Sequence, residues 1–207
     1  MNFKIKPHNL GHYHIPSDAK GGVCLEIGAN VGSFFSKYSD YFKTIHYYEP
    51  VKECYNICKE KSDKLDNVTG WNLAGYKESN KTVKLLNHTG KMAGSIALEE
   101  INNGDWIDDD VVGTPQTISL EDMIAGLGVD VVDYTKLDCE NAEYYILLNK
   151  DLSKLKYIGM EFHWQMGQER YNELLEHILK THKVVKGAAG WSDRRNKEVF
   201  FQLKTIE

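Results

Sequence analysis

The 207-residue sequence lacks an excess of positive charge, because its 30 aspartates and glutamates outnumber its 25 lysines and arginines. A general electrostatic hold on the phosphates of DNA or RNA is therefore not expected, and we predict no nucleic-acid partner. The sequence also lacks a run of about 18 apolar residues, the length that a membrane-spanning helix needs. The first residues, MNFKIKPHNLGHYHIP, have no apolar core after their lysines and do not resemble a signal peptide. We expect no membrane segment and a cytoplasmic protein.

Cysteines are few, and no two of the four form a CxxC pair. Cys24 and Cys139 lie in apolar, strand-like runs, whereas Cys54 and Cys58 are four residues apart and would share a helix face. A zinc site is one interpretation of that pair. Reduced, partly buried thiols of a cytoplasmic protein are the interpretation that we favour.

Length and composition suit a single α/β domain, with 42% hydrophobic and 27% charged residues and no internal repeat. Strand-like runs at 22–28, 44–50, 131–139 and 155–164 alternate with segments of helical spacing. Such alternation predicts a largely parallel sheet with helices on both faces. The segment 81–88 also has the pattern of a strand.

The last two predicted strands, 183–190 and 198–204, are joined by too few residues for a helical crossover. We therefore expect them to pair as an antiparallel hairpin, so that the last strand runs against a mostly parallel sheet.

The stretch VCLEIGANVGSF, residues 23–34, is typical of a nucleotide-binding turn. Ligands of open α/β sheets bind at the carboxyl ends of the strands, where Gly28 permits a sharp turn and a close approach of the ligand. A helix that starts near Gly32 would point its positive end at that ligand. A plain strand-to-helix turn has the same pattern, but Glu49 lies 21 residues (49 − 28) beyond Gly28. An acid about 20 residues beyond the turn accepts hydrogen bonds from ribose hydroxyls.

Asn30 and Ser33 stand where the dinucleotide fingerprint GxGxxG needs glycines, which argues against NAD. A cofactor without phosphate tolerates Asn30, whose amide can also bond a zwitterionic ligand. Glu26 could receive the ammonium group of such a ligand. These points favour S-adenosylmethionine. An NAD-dependent oxidoreductase and a nucleoside-binding module without catalysis remain alternatives.

Five blocks in this order carry a family resemblance: CLEIGANVGSF, HYYEPVKECYNICKE, TISLEDMI, YTKLDCENAEYYILL and YIGMEFHW. They are similar to the FkbM-type family of S-adenosylmethionine-dependent methyltransferases, over residues 22–164, about two-thirds of the chain. The family forms are D-x-GAN-x-G, E-P, L-D/E-D-L, K-x-D-x-E-G-A-E and an apolar strand that ends in E-x-H. Glu26 replaces the usual Asp of the first block, and Asn141 replaces the usual Gly of the fourth.

The resemblance implies a Rossmann-like class I methyltransferase fold. This is a seven-stranded, mostly parallel sheet with an antiparallel last strand and helices on both faces. We expect one methyltransferase domain over residues 1–207. It would comprise an N-terminal segment (1–20), a cofactor-binding core (21–164), and a C-terminal helix with a closing β-hairpin (165–207).

The resemblance also implies cofactor-binding residues. Those around the methionine part and the turn would be Glu26, Gly28, Ala29, Asn30 and Gly32. Glu49 would bind the ribose. Leu73 and Ala74 would lie against the adenine with Asn72 beside them, and Asp138 would lie next to the amino acid or the sulfonium.

The catalytic candidates are Asp138, Glu161 and His163. Asp138 ends a predicted strand, where a carboxylate without a role is not expected. Glu161 and His163 are two apart on another strand and so face the same side. A histidine with a pKa near neutral suits the removal of a proton from a hydroxyl, although a strand end also accommodates a purely structural histidine. For substrate binding we name Glu140, which the start of a helix would equally explain, and Trp164, which could stack on a sugar or simply pack.

Asp138, Glu161 and His163 also resemble a scattered set of metal ligands, but their spacing supports this weakly and we predict no essential metal. The resemblance points to sugars, glycans or small metabolites as methyl acceptors. The (D/N)PP(Y/F) motif of enzymes that methylate adenine in nucleic acids is absent. We expect the acceptor pocket to be built by the N-terminal segment, Lys91–Thr114 and the loop after Trp164. Nothing in the sequence indicates an oligomeric state.

Overall fold

The computed structural model describes residues 13–87, 94–97, 111–187 and 197–205. The strands in chain order are β1 (Val23–Ile27), β2 (Thr44–Tyr48), β3 (Val68–Trp71), β4 (Ala74–Gly75), β5 (Lys84–Asn87), β6 (Gly94–Ala97), β7 (Val111–Gly113), β8 (Thr117–Ile118), β9 (Tyr134–Leu137), β10 (Tyr157–Phe162), β11 (His182–Lys186) and β12 (Lys197–Leu203). The helices are α1 (Ser33–Tyr38), α2 (Lys52–Ser62), α3 (Leu120–Leu127), α4 (Glu143–Leu147) and α5 (Gln168–Thr181).

Seven strands form one sheet in the order β11-β12-β10-β9-β1-β2-β3. The ladders between β10, β9, β1, β2 and β3 are parallel. β12 runs antiparallel to both of its neighbours, β10 and β11. The predicted sheet and its closing hairpin are thus confirmed. β12 lies inside the sheet rather than at its edge.

Successive residues of β1 point to different hydrophobic clusters, which shows that the sheet is covered on both faces. Cys24 packs with Phe34 and Phe35 of α1, whereas Leu25 packs in the larger cluster with Leu174 and Ile178 of α5. All four cysteines are free thiols, and Cys24, Cys54 and Cys58 are buried. The described part of the chain has no helix long and apolar enough to cross a membrane.

The predicted strand at 81–88 lies outside the main sheet. Its residues form β5, which pairs with β6 and β7 in a separate antiparallel sheet. The predicted strand is therefore confirmed, and it pairs outside the main sheet, whose edge on that side is β3. Of the predicted acceptor segment 91–114, residues 91–93 and 98–110 lie outside the described residues.

Helix α1 ends at Tyr38, earlier than the predicted segment 33–42. The Asn67 side chain donates hydrogen bonds to the carbonyls of Ser39 and Phe42, and the Tyr41 carbonyl accepts one from the Gly21 amide. These carbonyls are bonded to other segments instead of to a further helical turn.

Candidate functional site

The site lies where the carboxyl ends of β1, β9 and β10 meet beside the start of α1, the edge at which open α/β sheets bind ligands. The pocket there is lined by Tyr13, Glu26, Ala29, Asn30, Ser33, Phe34, Lys136, Asp138, Glu161 and Glu198. This lining contains four carboxyl groups and a single ammonium group, so the pocket favours a ligand that carries positive charge.

The turn after β1 requires glycine at position 28. Gly28 has a φ of 82°, and a Cβ on it would lie 2.0 Å from the Asp138 carbonyl oxygen. The Gly28 amide donates to the Tyr48 carbonyl at 2.9 Å, which ties the turn to the end of β2. Gly32, at the start of α1, also has a positive φ, of 74°. The sequence GANVG therefore has its glycines where the backbone needs them.

Asn30 joins this turn to Glu49. Its φ is 52°, and its backbone N–H donates to Oε2 of Glu49 at 2.7 Å. The other carboxylate oxygen of Glu49, Oε1, accepts from the Val51 amide at 2.8 Å. Burial raises the pKa of Glu49 to about 7, although the two amides act in the opposite direction. Glu49 is thus held rigidly at the end of β2 with both oxygens oriented by backbone amides.

The segment after β3 supports the same edge. Asn72 donates from its side chain to the carbonyls of Glu49 and Pro50, at 2.8 and 3.0 Å, and so holds the turn after β2. Leu73 packs at the border of the larger core cluster, and Ala74 is fully buried in it. Asn72 is therefore joined to Glu49 directly, whereas neither Leu73 nor Ala74 is among the residues that line the described pocket.

A buried cluster of charges connects β1 with β9. Glu26 and Lys136 are register partners in the two strands and are 0% and 4% exposed. The Lys136 ammonium lies 3.9 Å from Glu26 Oε1 and 3.6 Å from Asp138 Oδ2, and it donates to the Gly28 carbonyl. Burial would lower the pKa of Lys136, but the carboxylates of Asp138 and Glu26 outweigh it and raise the pKa.

The carboxyl group of Glu26 can accept more hydrogen bonds than the described residues around it donate. Among the described residues neither of its oxygens has a hydrogen-bond partner, apart from a weak contribution of the Phe35 backbone amide. Burial raises the pKa of Glu26 to about 8, even though Lys136 lowers it. Because buried polar groups in proteins are normally paired, this carboxyl group in a pocket wall indicates a place for a ligand.

Tyr13 covers the pocket from the N-terminal side. Its hydroxyl donates to Asp138 Oδ2 at 3.3 Å, and its ring packs edge-on against Phe34 and Phe200. The Lys136 ammonium lies 5.8 Å from the centre of this ring. Residues 1–12 of the predicted N-terminal segment lie outside the described residues.

His163 is buried among three carboxylates. Its Nε2 lies 3.8 Å from Asp138 Oδ1 and 3.4 Å from Glu140 Oε2, and its Nδ1 lies 3.4 Å from Glu143 Oε1. Burial lowers the pKa of His163, but Glu143 and Glu140 outweigh this and raise the pKa well above its usual value. These surroundings disfavour the general-base role that the sequence suggested for His163.

The backbone between β9 and α4 adopts an unusual conformation that brings these acids to His163. Glu140 and Asn141 have φ values of 51° and 83°, two consecutive left-handed residues. Asn141 occupies the place of the glycine in the family motif, and asparagine is among the residues that tolerate this region best. Glu143, fully buried, fixes the turn by accepting from the Cys139 amide at 2.6 Å.

Glu161 and Asp138 line the same pocket, and one ligand atom from each lies within 4.8 Å of one on His163. Trp164 begins a short 3₁₀ turn directly after His163 and is 44% exposed. The structure thus brings together Asp138, Glu161 and His163, as strand parity and strand ends predicted, and Glu140 joins them through the turn after β9.

Sequence reasoning did not identify Tyr13 and Lys136 as residues of the site, and it did not predict that Glu143 orients His163. A signal existed for Lys136, because a lysine in the middle of the apolar run VVDYTKL is almost never buried without a charged partner. No local signal marks Tyr13, whose contacts with Asp138 and Phe200 are distant in the sequence.

A family model described as the methyltransferase FkbM domain matches residues 26–184. Among solved structures, the methyltransferase FkbM of Methylobacillus flagellatus KT is similar, with a TM-score of 0.57 and 11% identity. The match covers 93% of this chain and 45% of that one, so this chain spans less than half the length of that relative.

Two archaeal fibrillarins have the same fold at 12% identity, and in both the match covers 92% of this chain and 70% of theirs. The Methanococcus jannaschii fibrillarin, a pre-rRNA processing protein, has a TM-score of 0.53. The Aeropyrum pernix fibrillarin, solved with natively bound S-adenosyl-L-methionine, has a TM-score of 0.51. We find no significant match among curated proteins.

Proposed function

The chain belongs to the FkbM methyltransferase family, and we propose that it methylates a hydroxyl oxygen of a sugar, a glycan or another small metabolite. The methyltransferase family, the Rossmann-like fold and the S-adenosylmethionine cofactor that the sequence predicted are confirmed. The cofactor supplies a methyl group on a sulfonium. Transfer to a hydroxyl forms a C–O bond, breaks the C–S bond and releases one proton.

The observation that carries the proposal is the buried carboxyl group of Glu26 in the wall of an acidic pocket, whose oxygens lack a hydrogen-bonding side chain among the described residues. Its position two residues before Gly28 suits the ammonium group of the cofactor's amino acid. Glu49, oriented by the amides of Asn30 and Val51, suits the ribose hydroxyls, since each carboxylate oxygen can accept a second hydrogen bond. The residues present therefore fit the methyl donor.

The same turn disfavours the oxidoreductase alternative. A dinucleotide needs free backbone amides in the glycine turn for its pyrophosphate. Here the Asn30 amide is already bonded to the Glu49 carboxylate, and that carboxylate would repel a phosphate placed at the turn. A nucleoside ligand without phosphate avoids both conflicts.

For the proton of the acceptor hydroxyl we assign Asp138 and Glu161, the carboxylates that line the pocket together. Both ring nitrogens of His163 face carboxylates, so His163 is placed to orient and charge-balance Asp138 and Glu140 rather than to reach the acceptor. Most of the rate would come from holding the acceptor in line with the methyl group.

We place the acceptor next to Glu140 and Trp164, because Trp164 is partly exposed and its ring can stack on a sugar. The net charge of −5 and the acidic pocket disfavour a polyanion, which supports a small-molecule or glycan acceptor over nucleic acid. Residues 21–164 would form the cofactor-binding core of a single domain.

Equilibrium binding of S-adenosylhomocysteine and of NADH, measured by calorimetry, tests the cofactor assignment. We expect saturable binding of S-adenosylhomocysteine alone, and saturable binding of NADH alone would overturn the proposal. A panel of hydroxylated sugars with a radiolabelled methyl donor then tests transfer. Asp138→Asn should abolish it, whereas Asp130→Asn, which removes the same charge from an exposed residue, should not. Cofactor binding without transfer to any panel member would favour the non-catalytic alternative.

A further inference from the structure

Asp138, Glu161 and His163 form a group with the spacing of metal ligands. One ligand atom from each residue lies within 4.8 Å of the others. Metal–ligand bonds to nitrogen and oxygen are about 2.0–2.2 Å long, so ligand atoms on opposite sides of one ion are about 4.2 Å apart. Small rotations of these side chains therefore suffice to place all three atoms around a single ion.

The orientation of His163 is a second and independent feature of such a site. Metal-binding histidines commonly present their other ring nitrogen to a carboxylate, which fixes the ring and its tautomer. Here Nδ1 lies 3.4 Å from Glu143 Oε1, while Nε2 faces Glu140 Oε2 at 3.4 Å and Asp138 Oδ1 at 3.8 Å, so a cation at Nε2 would displace the contact with Glu140. Glu143 is itself fixed, because it is fully buried and accepts from the Cys139 amide.

The two carboxylate oxygens of Asp138 face different neighbours. Its Oδ2 lies on the side of Lys136 and Tyr13, at 3.6 and 3.3 Å, and its Oδ1 lies on the side of His163. The cation of Lys136 is thus directed to one oxygen of the carboxylate, and the other oxygen faces the imidazole.

Glu161 adds a second negative charge beside that of Glu198, because the two residues are opposite each other on paired strands. Its register partner across the β10–β12 ladder is Glu198, and both line the pocket. Like charges placed directly opposite each other on two strands are destabilising. A cation bound at Glu161 would add positive charge beside this pair.

We propose that Asp138, Glu161 and Nε2 of His163 bind one divalent cation at the border of the cofactor pocket, with Glu143 as the residue that orients His163. The mixed carboxylate and imidazole donors suit Mn²⁺, Fe²⁺ or Zn²⁺ better than Ca²⁺, which prefers oxygen alone. A cation at Nε2 takes the place of the proton there. The sequence spacing supported a metal site only weakly and we predicted no essential metal, whereas the proximity of the three ligand atoms and the position of Glu143 argue for a cation site.

The cation would bind the acceptor through one or two hydroxyl oxygens, which makes a sugar diol a suitable acceptor. Coordination lowers the pKa of a bound hydroxyl, and its proton passes to the carboxylate oxygen of Glu161 that does not hold the cation. This role rests on the proposed methyl transfer, whereas the cation site itself does not.

Titration of the metal-free full chain with Mn²⁺, followed by electron paramagnetic resonance of the free ion, tests the site. We expect one saturable equivalent. His163→Asn and Glu161→Gln should abolish saturation, and Glu143→Gln should weaken binding about 10–100-fold, as loss of an orienting carboxylate does. Glu121→Gln is the matched control, because it removes an equal charge from an ion pair with Lys150 on α3. Its affinity for Mn²⁺ should equal that of the unchanged protein.

Absence of saturable Mn²⁺ binding in the unchanged protein would overturn the proposal, whether or not the variants fold. Equal Mn²⁺ affinity in Glu161→Gln and Glu121→Gln would also overturn the proposal. Glu161 is only partly buried, so we expect its variant to fold, and circular dichroism verifies this. Binding of S-adenosylhomocysteine is measured in parallel with a chelator present. If it persists while Mn²⁺ binding fails, the cation site is wrong and the proposed function stands. If S-adenosylhomocysteine binding fails while Mn²⁺ binds, the proposed function is wrong and the cation site stands.

Discussion

The backbone N–H of Asn30 donates a hydrogen bond of 2.7 Å to Oε2 of Glu49 and so links the turn after β1 to the end of β2. Through this bond Asn30, which we propose disfavours a dinucleotide, also orients Glu49, the residue that we assign to the ribose. The two features that the sequence suggested separately are one structural unit, and a change at either position affects the other.

The affinity for S-adenosylhomocysteine should depend on pH through Glu49. Burial raises the pKa of this carboxyl group to about 7, and the ionised form accepts hydrogen bonds from ribose hydroxyls more strongly. The affinity should therefore rise from pH 6 to pH 8 in the unchanged protein. Calorimetry of Glu49→Gln should show weaker binding and a smaller rise, because only the ionisation of Glu26 then contributes to it.

Glu53→Gln is the control for this prediction, because Glu53 is exposed on the neighbouring helix α2. It should retain both the affinity and its pH dependence. A Glu49→Gln variant that keeps the full rise would assign the titration to another group and remove the ribose role from Glu49.

Gly28→Ala should destabilise the protein and Gly126→Ala should not. A Cβ at Gly28 collides with the Asp138 backbone and the φ of 82° is unfavourable, so we expect a loss in the free energy of unfolding of at least about 1–3 kcal/mol. Gly126 lies exposed in α3 with nothing within 4 Å of an added Cβ, and alanine there should add about 0.5–1 kcal/mol. Urea unfolding followed by circular dichroism measures both. Equal effects would mean that the turn relaxes around the added carbon.

Glycine spacing, strand parity and strand ends predicted from the sequence that the residues at the ends of β1, β2, β9 and β10 lie at one edge of the sheet. Gly28, Glu49 and Asp138 follow strands whose carboxyl ends meet at one edge, and this consequence of parallel topology needs no coordinates. His163 and Glu161 were likewise predicted to face the same side. Their positions in the sequence were enough for this prediction, because strands and helices alternate regularly along the chain.

What the sequence could not predict depends on contacts between distant segments. The general-base role suggested for His163 assumed an ordinary pKa, but Glu140 and Glu143 surround the ring because the chain turns left-handed at two consecutive residues. β5 has an ordinary strand pattern and pairs outside the main sheet, since pattern does not specify a partner. The apolar run around Lys136 indicates a buried lysine with a charged partner, but only the strand register identifies Glu26 as that partner.

Tyr13→Ala should destabilise the protein more than Tyr13→Phe. The phenylalanine variant loses one hydroxyl bonded to Asp138, which contributes about 0.5–1.5 kcal/mol to the free energy of unfolding. The alanine variant also loses the ring packed against Phe34 and Phe200, and it opens the pocket. Its affinity for S-adenosylhomocysteine should fall further than that of the phenylalanine variant. Thermal unfolding measures the stability of the two variants, and calorimetry measures their affinity for S-adenosylhomocysteine. Equal stability and equal affinity in Tyr13→Ala and Tyr13→Phe would contradict this prediction, because the ring would then contribute neither packing nor cover.

Glu26→Gln should stabilise the ligand-free protein at high pH while weakening its binding of S-adenosylhomocysteine. Burial raises the pKa of Glu26 to about 8 in the folded chain, above the value of about 4.3 expected in the unfolded one. The stability that a raised pKa contributes is fully present below the unfolded value and is lost as pH rises through about 8. The free energy of unfolding of the unchanged protein should therefore decline more steeply between pH 5 and pH 9 than that of the glutamine variant, which cannot ionise there. Calorimetry at pH 8 should show the opposite order for S-adenosylhomocysteine, because the variant has no carboxylate for the ligand's ammonium group. A variant that gains stability and binds the ligand as tightly as before would show that Glu26 serves Lys136 and not the cofactor.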